Sequence, residues 1–409
     1  MNKIDAEYLL IIICGIVILS YFFSIISRYI RVPSVLLLLF GGIFFRWFSD
    51  VNNMSITIPS QIVEALGVIG LIMIVLEAGL DLTLSRSKIK LIRNSFFSAL
   101  IIFICSAGLI TAILHYWLHE DVMNCMVYSI PLSIISSSIV IPSIHSLTEE
   151  KKEFLVYEAS FSDIIGILVF NYFTGEETLT LRSVAFFGGN IVVSVLLSFV
   201  LSFVLFLIMA KTKLNIKFFL IFSLLILIYA SGKILHLPSL IIILIFGMMI
   251  NNWELISIPR VQRLFPVREV ESIRALLHSI TAESSFLIRT FFFILFGYSI
   301  RLDFLAENEV LAVGGSVVAA LFIVRLLYLR FFVKTNVFPE SFFLPRGLIT
   351  IVLFYKIPEK FKLTAFNEGI LFFIILTTGI IMTAGMIFYK KKPGQIFEES
   401  VFAGRDDKP

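Results

Sequence analysis

Apolar runs about as long as a bilayer is thick follow one another along almost the whole chain, separated by short polar segments rich in Lys, Arg, Pro and Gly. An α-helix rises about 1.5 Å per residue, so roughly 20 apolar residues cross a hydrocarbon core of about 30 Å. Each run therefore predicts a membrane-spanning helix. Hydropathy windows place spans at 8–27, 33–48, 61–80, 95–118, 126–146, 153–173, 183–210, 217–235, 238–251, 275–300, 310–333, 341–356 and 367–389. The expected fold is an all-α polytopic membrane protein of about 13 transmembrane helices. The first run is long enough to span and precedes no small-residue cleavage site, so it is expected to remain as a helix.

Composition agrees: of 409 residues, 58% are hydrophobic and 15% charged, far from the balance of a soluble domain. The net charge of +4 carries no nucleic-acid signal, because the basic residues sit in short loops rather than on one face. Their placement reports topology instead. Lysines and arginines crowd into one set of alternate loops, among them 86–93, 211–217, 260–274 and 390–392. The positive-inside rule makes that side cytoplasmic, with the N-terminus outside and residues 391–409 a short cytoplasmic tail. Cys14, Cys105 and Cys125 have no metal-ligand spacing, and no cofactor motif is evident.

Two stretches repeat. Residues 32–47 read VPSVLLLLFGGIFFRW and residues 237–253 read LPSLIIILIFGMMINNW, with Pro33 and Pro238, Ser34 and Ser239, and Gly42 and Gly247 in register. The copies lie seven spans apart, and an odd offset gives them opposite orientations. Spans 1–6 and 8–13 are then expected to form two inverted six-helix repeats joined by 183–210, a mark of secondary transporters with a midplane site. The fifth span carries the run SIISSSIVIPS, residues 133–143, a hydroxyl cluster including Ser137 and Ser138 and followed by Pro142, where the helix is expected to open. Its counterpart, the twelfth, holds Pro345-Arg346-Gly347, a second break. Freed carbonyls and serine hydroxyls are oxygen ligands suited to a small hard cation.

The sixth span, 153–173, contains Glu158 and Asp163. Asp163 lies roughly 15 Å along that helix, near the bilayer midplane. Ionising it there costs about 2.5–3.5 kcal/mol, so such residues face a wet cavity on an ion or proton path, or are held in a structural pair. Glu77 closes the third span in LEAGLDL. Arg325 is well inside the eleventh span, and Glu283 and Arg289 on the tenth could serve each other or the pathway.

Together these residues resemble the monovalent cation:proton antiporters, over essentially 8–390. The stretch Glu158-Ala159-Ser160-Phe161-Ser162-Asp163 is similar to that family's Glu-Ser-x-x-Asn-Asp, with Ala159 in place of Ser and Ser162 in place of Asn or Asp. LEAGLDL, Ser136-Ser137-Ser138, Arg325 and Arg346-Gly347 also fit, although Ser138 stands where many members have Asp. The resemblance implies that Asp163 is the shared cation and proton site, with Ser162, Ser137 and Ser138 near it and Glu77 lining the approach. It also implies a structural ion pair of Glu158 with Arg325, and charge compensation of the broken helices by Arg346. A homodimer is implied, in which a core domain with two crossed broken helices moves against a dimerisation domain.

The expected activity is exchange of Na⁺, with Li⁺ or K⁺ as alternatives, for H⁺ across a bacterial inner membrane in the service of pH homeostasis. Because Ser162 cannot titrate, Arg325 keeps its charge and Glu158 is expected to stay ionised against it, Asp163 is left to cycle, which implies electroneutral exchange. Glu77 and Glu283 are the residues that would undo this by carrying an extra proton. The rivals are an ion channel and an organic-ion symporter on the same scaffold. An enzyme is not expected, since no nucleophile triad, metal motif or phosphate loop is present.

Overall fold

The computed structural model describes residues 6–51, 60–175, 188–189, 192–193, 195–201, 203–204, 218–234, 239–253, 267–300, 307–333 and 337–389. Its helices follow the apolar runs: α1 Ala6–Ile30, α2 Ser34–Val51, α3 Ser60–Asp81, α4 Ile89–Leu118, α5 Val122–Ser133, α6 Ser137–Val140 and α7 Glu149–Thr174. Then come α8 Phe218–Ile234, α9 Ser239–Asn251, α10 Val267–Ser299, α11 Asn308–Tyr328, α12 Leu348–Tyr355 and α13 Glu368–Phe388. The expected span at 183–210 lies largely outside the described residues, as does Pro238 of the sequence repeat.

Local chemistry sets several boundaries. Asp121 caps α5 by accepting the Met123 N–H at 2.9 Å, and Asn367 caps α13 by accepting the Gly369 N–H at 2.8 Å. Each satisfies a donor that the first turn leaves free. At the end of α4, His119 takes the left-handed conformation (φ 55°) and its N–H returns to the His115 carbonyl. The helix therefore stops there, and α5 can turn back antiparallel to it.

Two groups of helices are each packed mainly on themselves. One comprises α1, α2, α3, α8, α9 and α10; the other comprises α4, α5, α6, α7, α11, α12 and α13. They meet where α12 touches α3 and α10. Apolar helices gain little from burying one another in lipid, so close approach of small residues has to hold them. Glycines supply it in the first group. A Cβ at Gly42 would lie 2.3 Å from the Ile294 carbonyl oxygen, and one at Gly297 would lie 2.5 Å from that of Leu39. At the α3–α9 crossing, a Cβ at Gly79 would lie 2.6 Å from the Leu244 oxygen, and one at Gly247 would lie 2.9 Å from that of Leu76. Gly42 and Gly247, aligned in the two sequence copies, thus do the same job in two different crossings.

Candidate ion-binding site

The fifth apolar run does not form one helix. α5 ends at Ser133, the backbone is extended at Ile134 (ψ 129°) and Ser136 (ψ 112°), and α6 restarts at Ser137. The break thus precedes Pro142, where the sequence places it; Pro142 instead lies in a 3₁₀ turn, Ile141–Ser146. The reason lies in the tertiary partners of the freed groups. The Ile135 N–H donates to Ser162 Oγ at 2.9 Å, and the Ser136 N–H donates to the Pro345 carbonyl at 3.0 Å. Pro142 has a separate effect: without an N–H, it offers no donor to the Ser138 carbonyl four residues back. Arg289 Nη1 of α10 donates to that carbonyl instead, at 3.2 Å.

The second break, Pro345-Arg346-Gly347, crosses the first at this Ser136–Pro345 bond. A Cβ at residue 347 would lie 2.4 Å from Ser136 Oγ, so glycine is required for the approach. Arg346 is buried, and its guanidinium donates from Nε to the Leu132 carbonyl at 2.6 Å and from Nη1 to the Leu344 carbonyl at 3.0 Å. A cation there meets unsatisfied carbonyls at the C-terminal, negative end of α5. Thr378 Oγ1 accepts the Arg346 N–H at 3.2 Å and holds the break against α13.

Asp163 sits beside this crossing on α7, 4% exposed. Its Oδ2 accepts from Ser137 Oγ at 2.5 Å and from the Ser137 N–H at 3.3 Å. Its Oδ1 is buried without a hydrogen-bond partner. Asp163 lines a cleft between the two helix groups, whose other walls include Ile74 and Ala78 of α3, Ile241 and Leu244 of α9, and Ser160 of α7. Ser160 Oγ is likewise buried with no partner. A carboxylate half satisfied by protein, beside a second free oxygen in an apolar cleft, can accept a proton or a small desolvated cation.

Glu158 shares α7 with Asp163, but both its oxygens are engaged. Oε2 accepts from Arg325 Nη2 at 2.7 Å and Oε1 from Ser98 Oγ at 2.5 Å, with Glu158 and Arg325 each almost fully buried. Arg325 Nε also donates to the Glu340 carbonyl at 2.7 Å. The Glu340 carboxylate is paired in turn with Lys151.

Of the other residues singled out from the sequence, Glu77 and Arg289 are 3.8 Å apart, both mostly buried. Glu283 is exposed and accepts from Tyr21 Oη at 2.7 Å rather than pairing with Arg289. The Ser138 hydroxyl lies 2.9 Å from that of Ser136, not on Asp163. Sequence reading did not single out Ser160, Ser98 or Thr378. Only Ser160 carried a usable signal, since three residues before Asp163 on a helix places it on the same face.

A family model described as "Sodium/hydrogen exchanger, transmembrane" matches residues 15–389. The chain belongs to the sodium/hydrogen exchanger family. It is thus a multi-pass membrane transporter of Na⁺ and H⁺ and not an enzyme. No curated protein matches it. Among solved structures, the sodium proton antiporter MjNhaP1 from Methanocaldococcus jannaschii at pH 8 is similar, with a TM-score of 0.69 and 19% identity. The match covers 93% of this chain and 100% of that one. A structure of the same antiporter from an electron-microscopy map gives a TM-score of 0.63 at 18% identity, over 95% of this chain and 100% of that one. At such identities the likeness speaks for the fold alone.

Proposed function

We propose that this protein exchanges one Na⁺ for one H⁺, with Asp163 as the single group that both ions use in turn. The observation that carries the proposal is the Oδ1 of Asp163, buried and without a partner in a cleft between two helix groups. Ser137 fixes the other oxygen, so the carboxylate is held in place while one face stays available. A proton or a cation neutralises it, and either form can then cross in contact with an apolar wall, whereas the bare carboxylate is costly there.

The matched glycine crossings of α2 with α10 and α3 with α9 support two inverted repeats within residues 1–390. They also support alternating access by movement of the α4–α7 and α11–α13 group against the other. Glu77 then lines the approach, next to Arg289. The same reading includes a homodimer in a bacterial inner membrane with the C-terminus cytoplasmic. Three features of the site support electroneutral exchange: Glu158 is held by Arg325 and Ser98, Ser162 has no titratable group, and arginine keeps its proton.

Proteoliposomes test this directly. An imposed Na⁺ gradient should drive protons the opposite way, and Asp163→Asn, which keeps the shape but cannot exchange a proton, should abolish that flux while the protein still inserts. A potassium/valinomycin potential imposed without a Na⁺ gradient should leave the internal pH unmoved. Normal exchange by Asp163→Asn would sink the assignment of the site, and potential-driven proton flux would sink the one-for-one exchange.

A further inference from the structure

Within this antiporter reading, we infer that Ser160 supplies the transported cation with a side-chain oxygen and helps set its affinity. Ser160 Oγ is buried and has no hydrogen-bond partner. A buried hydroxyl without a partner is costly unless something fills the vacancy for part of the time. On a helix, serine can return its hydroxyl to the carbonyl of the preceding turn. Thr111, Thr174 and Thr378 do so here, and Ser160 does not.

Instead Ser160 lines the cleft that also holds Asp163, one helical turn further on, whose Oδ1 is the other unpartnered oxygen there. The remaining walls named above are apolar, so a cation entering the cleft exchanges part of its water shell for these two oxygens. The neighbouring hydroxyls are otherwise engaged. Ser162 Oγ accepts the Ile135 N–H, the Ser138 hydroxyl faces Ser136, and Ser137 holds Asp163 Oδ2. Ala159 offers no oxygen at all. Ser162 therefore holds the broken helix, and Ser160 faces the ion.

The test uses the full-length protein, with Na⁺ as the probe and two readouts. In proteoliposomes, Ser160→Ala should raise the Na⁺ concentration for half-maximal proton exchange about fivefold, the effect of losing one polar contact, while the maximal rate stays within about twofold of wild type. Ser160→Thr keeps the oxygen and should keep wild-type half-saturation. In detergent, Na⁺ raises the melting temperature by binding the folded state, and Ser160→Ala should need about five times more Na⁺ for the same rise. Ser162→Ala should lower the melting temperature without moving half-saturation. Wild-type Na⁺ dependence in Ser160→Ala by both readouts, or a shift in Ser162→Ala in its place, would overturn the inference. A wild-type protein that moves no protons in response to Na⁺ would instead count against the antiporter reading itself.

Discussion

Glu158 and Asp163 sit on one helix, close in sequence and almost equally hidden, at 1% and 4% exposure, yet their surroundings differ in kind. Glu158 has a guanidinium on one oxygen and a hydroxyl on the other. Asp163 has a serine on one oxygen and an apolar cleft beside the other. A buried charge with a partner on each oxygen is fixed, because breaking its contacts strands what remains. One left half answered is open to a ligand. Burial alone thus does not separate these two carboxylates; they differ in that Glu158 meets a counter-charge on one oxygen and a hydroxyl on the other, whereas Asp163 meets no counter-charge and lines a cleft.

The contrast can be broken from the Glu158 side. Glu158→Gln or Arg325→Gln leaves a buried charge without its counterpart and should cost roughly 3–5 kcal/mol of stability. The double variant should recover part of that loss in thermal unfolding, and strictly additive losses would argue against an interdependent pair. Ser98→Ala removes only a hydroxyl from Glu158 and should cost less, about 1.5–3 kcal/mol, with Na⁺ half-saturation unchanged. The smallest effect is expected at a third carboxylate, Glu120, at the surface between α4 and α5. The Thr364 hydroxyl and the Ala365 N–H donate to it and hold its pKa below the usual carboxylate value. Its contribution is therefore present above the unfolded pKa and is lost as pH falls through the lower, folded one. Lowering the pH through that window should narrow a slight melting-temperature gap between wild type and Glu120→Gln; a gap that widens on acidification would contradict the clasp.

The helical runs and their order were legible from hydropathy, since lipid allows little besides helices where backbone has no water. The two breaks were legible to within a turn or two. Pro142 signalled the first, but the chain leaves the helix at 134–136, because the Ser162 hydroxyl and the Pro345 carbonyl that answer the freed N–H groups come from distant segments. The partner of Glu158 was named only by resemblance to a family, and Ser98 had no signal, being one serine among apolar neighbours. Ser162 drew attention by standing next to Asp163, whereas the helix turns the more distant Ser160 towards the cleft. The three-residue spacing puts Ser160 on the Asp163 face, but the cleft that this face lines is made by how the two helix groups meet, and a linear pattern does not encode that.

The central claim is that Na⁺ and H⁺ take turns on Asp163. It is tested most directly by adding Na⁺ to the purified protein in weakly buffered detergent solution, at a pH where Asp163 carries its proton, and measuring the protons set free. The account predicts about one proton released per Na⁺ bound and none from Asp163→Asn. Sodium binding without proton release, or undiminished release from Asp163→Asn, would contradict it.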